Sequence, residues 1–256
     1  MRHAWNPGQY LKFGGHRLRP AIDLLARVDV ESPETVFDLG CGPGNSTAML
    51  AERWPSARIT GIDGSVDMLA QAAADLPDLD WVEADLNDWV PDQPADVLFS
   101  NAALQWVKGH EILFPKVMNL VAPGGIAAIQ IPRNFEAPSH TLMTDVINAG
   151  PWRELLTPVR HDVPTQRPDY YYDLLSPLVK TLDIWETEYL QVLEGENPVA
   201  EYTKGSWLMR FLSYLDEPWK SEFEADYRAR ILKAYPQRAD GRTLFPFRRQ
   251  FILATL

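Results

Sequence analysis

The chain has 256 residues, of which 46% are hydrophobic and 23% charged. That profile belongs to an ordinary globular protein and excludes a disordered chain, a collagen and a coiled coil. Thirty-five acidic residues against twenty-four basic ones leave a net charge of −11, which argues against a nucleic-acid partner, because such proteins carry a basic footprint.

In chain order, the first stretch, Met1 to Tyr10, lacks the apolar centre of a secretory signal, and no apolar run reaches the roughly 18 residues of a membrane helix. No membrane partner is expected, and the expected location is a reducing cytoplasm. The single cysteine excludes an intramolecular disulfide and a cysteine-based zinc cluster. Residues 1–30 read as a helical arm with aromatic residues ahead of it (Trp5, Tyr10, Phe13). Thr35 to Leu39 is a short apolar strand that ends in Gly40-Cys41-Gly42-Pro43-Gly44. A helix follows from Ser46 to Trp54, with Asn45 or Ser46 as its N-cap. Strands are expected at Arg58–Asp63, Leu79–Asp85 and Ala95–Ser100, with helices at Val66–Ala74 and Glu111–Val121. Pro123-Gly124-Gly125 reads as a turn before a fifth strand, Ile126–Ile131.

Strands joined by helices of this size imply an α/β fold with a doubly wound, mostly parallel sheet. Such a sheet binds ligands beyond the carboxyl ends of its strands. After Pro132 the pattern turns to proline, aromatic residues and helix, with one alternating strand at Leu182–Tyr189. Helices are expected at Val199–Leu215 and Glu217–Tyr235. The expected organisation is a single domain: a cofactor-binding core over 31–132, a helical cap with one sheet strand over 133–242, and a final strand over 243–256.

Charge is uneven along the chain. From Val28 to Pro132 sixteen acids face four bases, Arg53, Arg58, Lys108 and Lys116. This is either a solvated surface or the seat of a cationic ligand, with an anionic ligand met by the flanks.

The strongest local signal is Asp38-Leu39-Gly40-Cys41-Gly42-Pro43-Gly44-Asn45. Its glycines let backbone turn tightly and approach a ligand; a ligand-free turn would use the same chemistry. A dinucleotide fingerprint would carry a third glycine at the place of Asn45, and Asp38 would repel a pyrophosphate but suit a cation. A nicotinamide-dependent oxidoreductase remains the alternative on this loop, and a binding protein without turnover a further one. The five histidines are scattered without helix-face ligand spacing, so no metal is expected. Cys41 reads as a small packing residue.

Val36 to Gly44 resembles the first motif of the class I S-adenosylmethionine-dependent methyltransferases, which implies a Rossmann-like sheet and S-adenosylmethionine as cofactor. The resemblance implies that Gly40, Gly42, Gly44 and Asn45 line the cofactor, that Asp63 takes the ribose hydroxyls, and that Asp85 and Leu86 meet the adenine. It places Asn101 near the methionine end of the cofactor. Taken alone, Asp63 also fits a helix N-cap, and Met68 fits either an adenine cover or core packing. Ser100-Asn101-Ala102-Ala103-Leu104-Gln105-Trp106 lacks the Pro-Pro-Tyr found in methyltransferases of nucleic-acid bases.

A closer resemblance covers nearly the whole chain. Trp5-Asn6-Pro7, Tyr10-Leu11-Lys12-Phe13, Arg17 to Ala21, Asp183 to Tyr189, Lys204-Gly205 and Leu244 to Ile252 are similar to the trans-aconitate 2-methyltransferase family. Ser206-Trp207-Leu208-Met209-Arg210 stands where that family more usually has Leu-Arg-Pro. The resemblance implies monomethyl ester formation on a small tricarboxylate; another acceptor, such as an acyl carboxylate, a phenol or a carbon nucleophile, is the alternative. A carboxylate is already ionised at pH 7, so no general base and no catalytic side chain are expected. A trianion needs local cations, and Arg19, Arg133, Arg210, Arg248 and Arg249 are the candidates, since guanidinium pairs bidentately with carboxylate. Arg248 and Arg249 are adjacent in a strand, so at most one reaches a pocket. Trp106, Tyr10 and Trp207 are expected to wall the acceptor.

Overall fold

The computed structural model describes residues 14–159 and 165–256. Tyr10 and the rest of the expected aromatic arm lie outside them. The elements in order are α1 (Gly14–Leu25), β1 (Thr35–Leu39), α2 (Asn45–Arg53), β2 (Arg58–Asp63), α3 (Val66–Asp75), β3 (Asp80–Glu83) and β4 (Ala95–Asn101). A 3₁₀ turn at Leu104–Trp106 leads to α4 (His110–Met118), β5 (Val121–Pro132), α5 (Pro138–Ala149), α6 (Arg153–Leu156) and α7 (Pro168–Leu175). Then come β6 (Thr181–Glu194), α8 (Pro198–Thr203), a π-helical turn at Lys204–Leu208, α9 (Met209–Leu212), α10 (Trp219–Ala234) and β7 (Arg242–Thr255).

The strands form one seven-stranded sheet in the order β3-β2-β1-β4-β5-β7-β6. β1 to β5 pair in parallel, and β7 returns antiparallel to β5. Each residue of β1 is buried, as befits a central strand covered on both faces. The strand order reverses between β1 and β4, and a crevice opens beyond the carboxyl ends of strands at such a switch. The register Asp38↔Phe99 and Asn101↔Gln130 sets the chemistry-bearing residues on those ends.

The chain divides into two compact units. One holds residues 15–132, 165–187 and 249–256, with a core built on Phe37, Leu39, Leu98, Phe114, Ile129 and Tyr171. The other holds, among the described residues, Gly14, 133–159 and 188–248, with its core around Met143, Leu156, Phe211, Phe223, Tyr227 and Phe245. Each large side chain buried in these cores contributes about 1.5–3 kcal/mol.

Local structure departs from expectation at several places. Pro123-Gly124-Gly125 is a bulge inside β5, not a turn ahead of it: β4 pairs Ala95 with Val121 and then Val97 with Ile126. Gly124 at φ 86° and the bonds Gly124 N–H to Leu256 O and Leu256 N–H to Gly125 O let pairing resume. The N-cap of α2 is Gly44, with left-handed φ and no side-chain cap; the Ser46 hydroxyl is turned to Asp38 instead. β3 ends at Glu83, so Asp85 stands in the turn beyond it. The expected helix Val199–Leu215 is interrupted by the π turn.

Candidate active site

The glycine loop is tied to its neighbours by its own backbone. Gly40 N–H and Cys41 N–H both donate to Ile62 O at 2.7 and 3.1 Å. Gly40 has φ 70°, and a Cβ there would stand 2.1 Å from the Ala103 Cβ, so no other residue fits. Gly42 N–H donates to Asp63 Oδ2 and Ser65 N–H to Asp63 Oδ1, each at 2.9 Å. A carboxylate has about four acceptor positions, so each oxygen of half-buried Asp63 retains capacity for a ligand hydroxyl. The side-chain cap of α3 is Ser65, whose hydroxyl accepts from Met68 N–H at 3.4 Å; Asp63 is therefore not that cap. Asn45 is exposed at the start of α2, and Met68 is buried.

Asp38 is fully buried. Its Oδ2 accepts from the Ser46 and Thr47 hydroxyls, both at 2.7 Å, while Oδ1 meets no donor among the described residues. Burial raises its carboxyl, the Thr47 and Ser46 hydroxyls pull it back and the charge of Asp63 adds to the rise, which leaves it at about 6. A buried oxygen without a donor asks for a partner, and a carboxyl so poised gains most from a cation. Burial, with Asp38 and Asp63 nearby, pushes the Cys41 thiol up and keeps it unreactive.

The end of β4 forms the opposite side of the switch. Ser100 Oγ donates to Leu39 O at 2.8 Å, joining β4 to β1. Asn101 Oδ1 is buried without a donor among the described residues. Ala102 stands at φ 55°, a left-handed conformation that costs an alanine about 1–2 kcal/mol. Two bonds hold it there: Ala102 N–H to Gln130 O at 2.9 Å, and Gln105 Nε2–H to Ala102 O at 2.6 Å. The 3₁₀ turn carrying half-buried Trp106 is fixed by His110, whose Nε2 lies 3.0 Å from Leu104 O and whose Nδ1 lies 2.6 Å from Tyr171 Oη. Asp85 is exposed, and its Oδ1 accepts from the Asn87 N–H and side-chain amide at 2.9 Å each. Leu86 is half-buried against the core of its unit.

The candidate acceptor arginines divide between the units. Arg249 belongs to the sheet unit, is 3% exposed, and donates from Nη1 to Gln130 Oε1 at 3.4 Å. Arg133, Arg210 and Arg248 belong to the other unit. Arg133 is 8% exposed and lies 3.3 Å from the Glu136 carboxylate. The Arg210 guanidinium stands 5.5 Å over the Trp207 ring, and burial lowers its pKa. Arg248 points outward, with a side chain 43% exposed and Glu188 at 3.9 Å. Strand alternation thus buries Arg249 and leaves Arg248 at the surface. Arg19 is exposed beside Asp23. Trp207 sits on the π turn and packs edge-on against Phe135 at 5.1 Å.

Several participants carry no signal in the sequence. Ala102 and Gln105 look like ordinary helix-forming residues. Ser46 and Thr47 read as a helix start and serve Asp38 instead. Among the described residues no three His, Cys, Asp or Glu side chains gather as a metal site.

Residues 36–125 match the family model of a methyltransferase domain. Haemonchus contortus phosphoethanolamine N-methyltransferase 2 superposes with a TM-score of 0.58 at 14% identity, covering 96% of this chain and 56% of that one; the likeness is one of fold. The trans-aconitate 2-methyltransferase of Azoarcus sp. (strain BH72) is 46% identical over 250 residues, 98% of each chain. That of Rhodopseudomonas palustris (strain BisB18) is 44% identical over 253 residues, again 98% of each. Identity of this degree runs through both units, not through the glycine-loop core alone, and the chain belongs to the trans-aconitate 2-methyltransferase family.

Proposed function

We propose that the protein transfers the methyl group of S-adenosylmethionine to a carboxylate of trans-aconitate, giving the monomethyl ester and S-adenosylhomocysteine. The observation that carries this reading is the near full-length identity with relatives named for that activity. The site residues fit the cofactor. Two carboxylates flank the glycine loop, an environment that suits a cationic ligand and repels a pyrophosphate. Asp63 offers acceptors to the ribose hydroxyls. Asp38 and Asn101, each with a buried oxygen that meets no donor among the described residues, suit the ammonium end. Gly40, Gly42 and Gly44 carry the loop, and Asn45, Met68, Asp85 and Leu86 are assigned to its rim and to the adenine.

When bound, S-adenosylmethionine supplies a methyl group on a sulfonium, an electrophile that needs no metal or proton donor. The acceptor carboxylate is ionised at neutral pH, so the protein has no proton to remove. Its task is alignment, which supplies up to roughly 7–11 kcal/mol when reactants are held in near-attack geometry. Desolvation adds to this, because opposite charges are neutralised as the ester forms. Arg133, Arg210 and Arg249 are assigned to the non-reacting carboxylates, since a tight ion pair on the attacking oxygen would blunt it. Trp106 and Trp207 exclude water. The protein acts as one functional domain, with residues 133–159 and 188–248 supplying most of the acceptor groups. A cytoplasmic location is part of the proposal: the one thiol is free, and no described helix is long and apolar enough to cross a membrane.

The test is turnover of methyl-labelled S-adenosylmethionine against trans-aconitate, cis-aconitate, citrate, isocitrate and a fatty acid. Base-labile label preferentially on trans-aconitate is expected. Cofactor binding with no transfer to any acid would overturn the assignment.

A further inference from the structure

A chain of buried hydrogen bonds runs through the second unit and ends on a histidine that the methyl-transfer chemistry does not call for. Arg133 N–H donates to Arg248 O at 3.0 Å, and Arg248 N–H donates to Asn134 Oδ1 at 3.2 Å. With its oxygen so used, Asn134 presents Nδ2 to Ser139 Oγ at 3.1 Å and donates to it. Ser139 Oγ in turn lies 3.0 Å from His140 Nδ1. In the tautomer where Nδ1 accepts the Ser139 hydroxyl proton, the relay runs in one direction and the ring carries its own proton on Nε2.

The relay is rigid. Asn134 and Ser139 are buried. The Ser139 backbone is pinned from both sides, its N–H donating to Tyr235 Oη at 3.2 Å and its carbonyl accepting from Tyr227 Oη at 2.8 Å. The half-buried His140 ring is flanked by Phe135 at 5.1 Å, Trp207 at 6.0 Å and Phe247 at 6.5 Å. Burial among these rings holds it neutral, with its pKa lowered to about 4. Among the described residues no group accepts from Nε2. Trp207 stands on the π turn, a distortion frequent at functional sites, and Arg210 lies over that same ring. A fixed neutral donor and a partly desolvated cation thus flank one indole, an arrangement that matches an anion with more than one carboxylate.

We propose that His140 is a specificity-determining residue of the acceptor site: its Nε2–H, fixed by the Asn134–Ser139 relay, donates to a carboxylate of the acceptor while Arg210 balances charge. The inference rests on the carboxylate-methyltransferase reading above. A neutral donor orients a carboxylate without the ion pairing that would lower its nucleophilicity.

The experiment compares wild type with His140→Leu, His140→Gln and Ser139→Ala. It measures trans-aconitate binding in the presence of S-adenosylhomocysteine by calorimetry, together with kcat and both KM values. His140→Leu is expected to weaken trans-aconitate at least tenfold and to leave the cofactor KM unchanged. His140→Gln should recover most of the loss, because the glutamine amide nitrogen reaches the place of Nε2. Ser139→Ala should fall between them, and its ¹⁵N imidazole spectrum should show the mixed tautomers that wild type lacks. Wild type methylating trans-aconitate while His140→Leu binds it equally well, or loses cofactor and acceptor alike, would overturn this inference alone. Wild type that binds S-adenosylhomocysteine but neither binds nor methylates trans-aconitate would overturn the functional reading and this inference with it.

Discussion

The two units solve recognition in opposite ways. On the proposed reading, the ligand-facing groups of the sheet unit are mostly backbone and short polar side chains at strand ends, Gly40 to Gly44, Asp63 and Asn101. Their positions follow from strand order and tight turns. In the other unit the proposed recognition groups are long or aromatic side chains, Arg133, His140, Trp207 and Arg210, set by packing between elements distant in sequence. The first kind is written in short motifs that close individual strands. The second exists only once the helices have packed, and it is where an acceptor preference can change without touching the cofactor.

The largest expected effect breaks the first kind. Gly40→Ala drives a Cβ into Ala103 at φ 70°, and cofactor affinity by calorimetry should fall more than about 100-fold, or about 2.7 kcal/mol. Adding Ala103→Gly should recover part of it; a single variant with unchanged affinity would remove the close-approach argument. Next, Asp63→Ala removes both the loop anchor and the ribose acceptor, and should weaken the cofactor by more than about tenfold with acceptor binding little altered. Unchanged cofactor affinity would break the ribose assignment. Arg210→Leu sharpens the contrast from the other side: the trans-aconitate KM should rise by about tenfold while the cofactor KM stays. Equal changes in both would sink the division of labour.

A smaller effect depends on pH. The Asp38 carboxyl is raised from 3.8 to about 6 in the folded protein. The stability tied to its protonated form is present below the unfolded value and is lost as pH rises through about 6. Urea denaturation of the ligand-free protein should therefore show wild type losing stability between pH 4 and 7 relative to Asp38→Asn. Cofactor affinity should move the other way, strengthening with pH in wild type and staying flat in the variant. Parallel curves would separate Asp38 from the cofactor ammonium. The smallest effect is Ala102→Gly, which relieves a left-handed alanine; thermal melting should show a gain of about 1 kcal/mol or less.

Much of the sheet was legible because its strands are short apolar runs closed by turn residues. Thr35–Leu39 and Arg58–Asp63 coincide with β1 and β2. The misread points share one cause, tertiary pairing that overrides local chemistry. Pro123-Gly124-Gly125 reads as a turn by composition, yet the backbone bonds of Gly124 and Gly125 to Leu256 keep it within β5. Ser46 reads as a cap until the buried Asp38 claims its hydroxyl. Arg248 and Arg249 are equal in sequence, and only the faces of β7 separate them. Ala102 gives no hint of its left-handed backbone, and His140 gives none of its relay, which joins residues more than a hundred positions apart.

The bond from Gly42 N–H to Asp63 has a kinetic meaning. A loop fastened before any ligand arrives has no folding to complete on encounter, so association should proceed without a slow ordering step. The same fastening is indifferent to whether the sulfur still bears its methyl. On the proposed reading the spent nucleoside meets the same ribose cradle as the fresh one. Its departure, rather than the chemical step, then becomes the natural brake on turnover, and the enzyme would respond to the ratio of the two forms as much as to the supply of either.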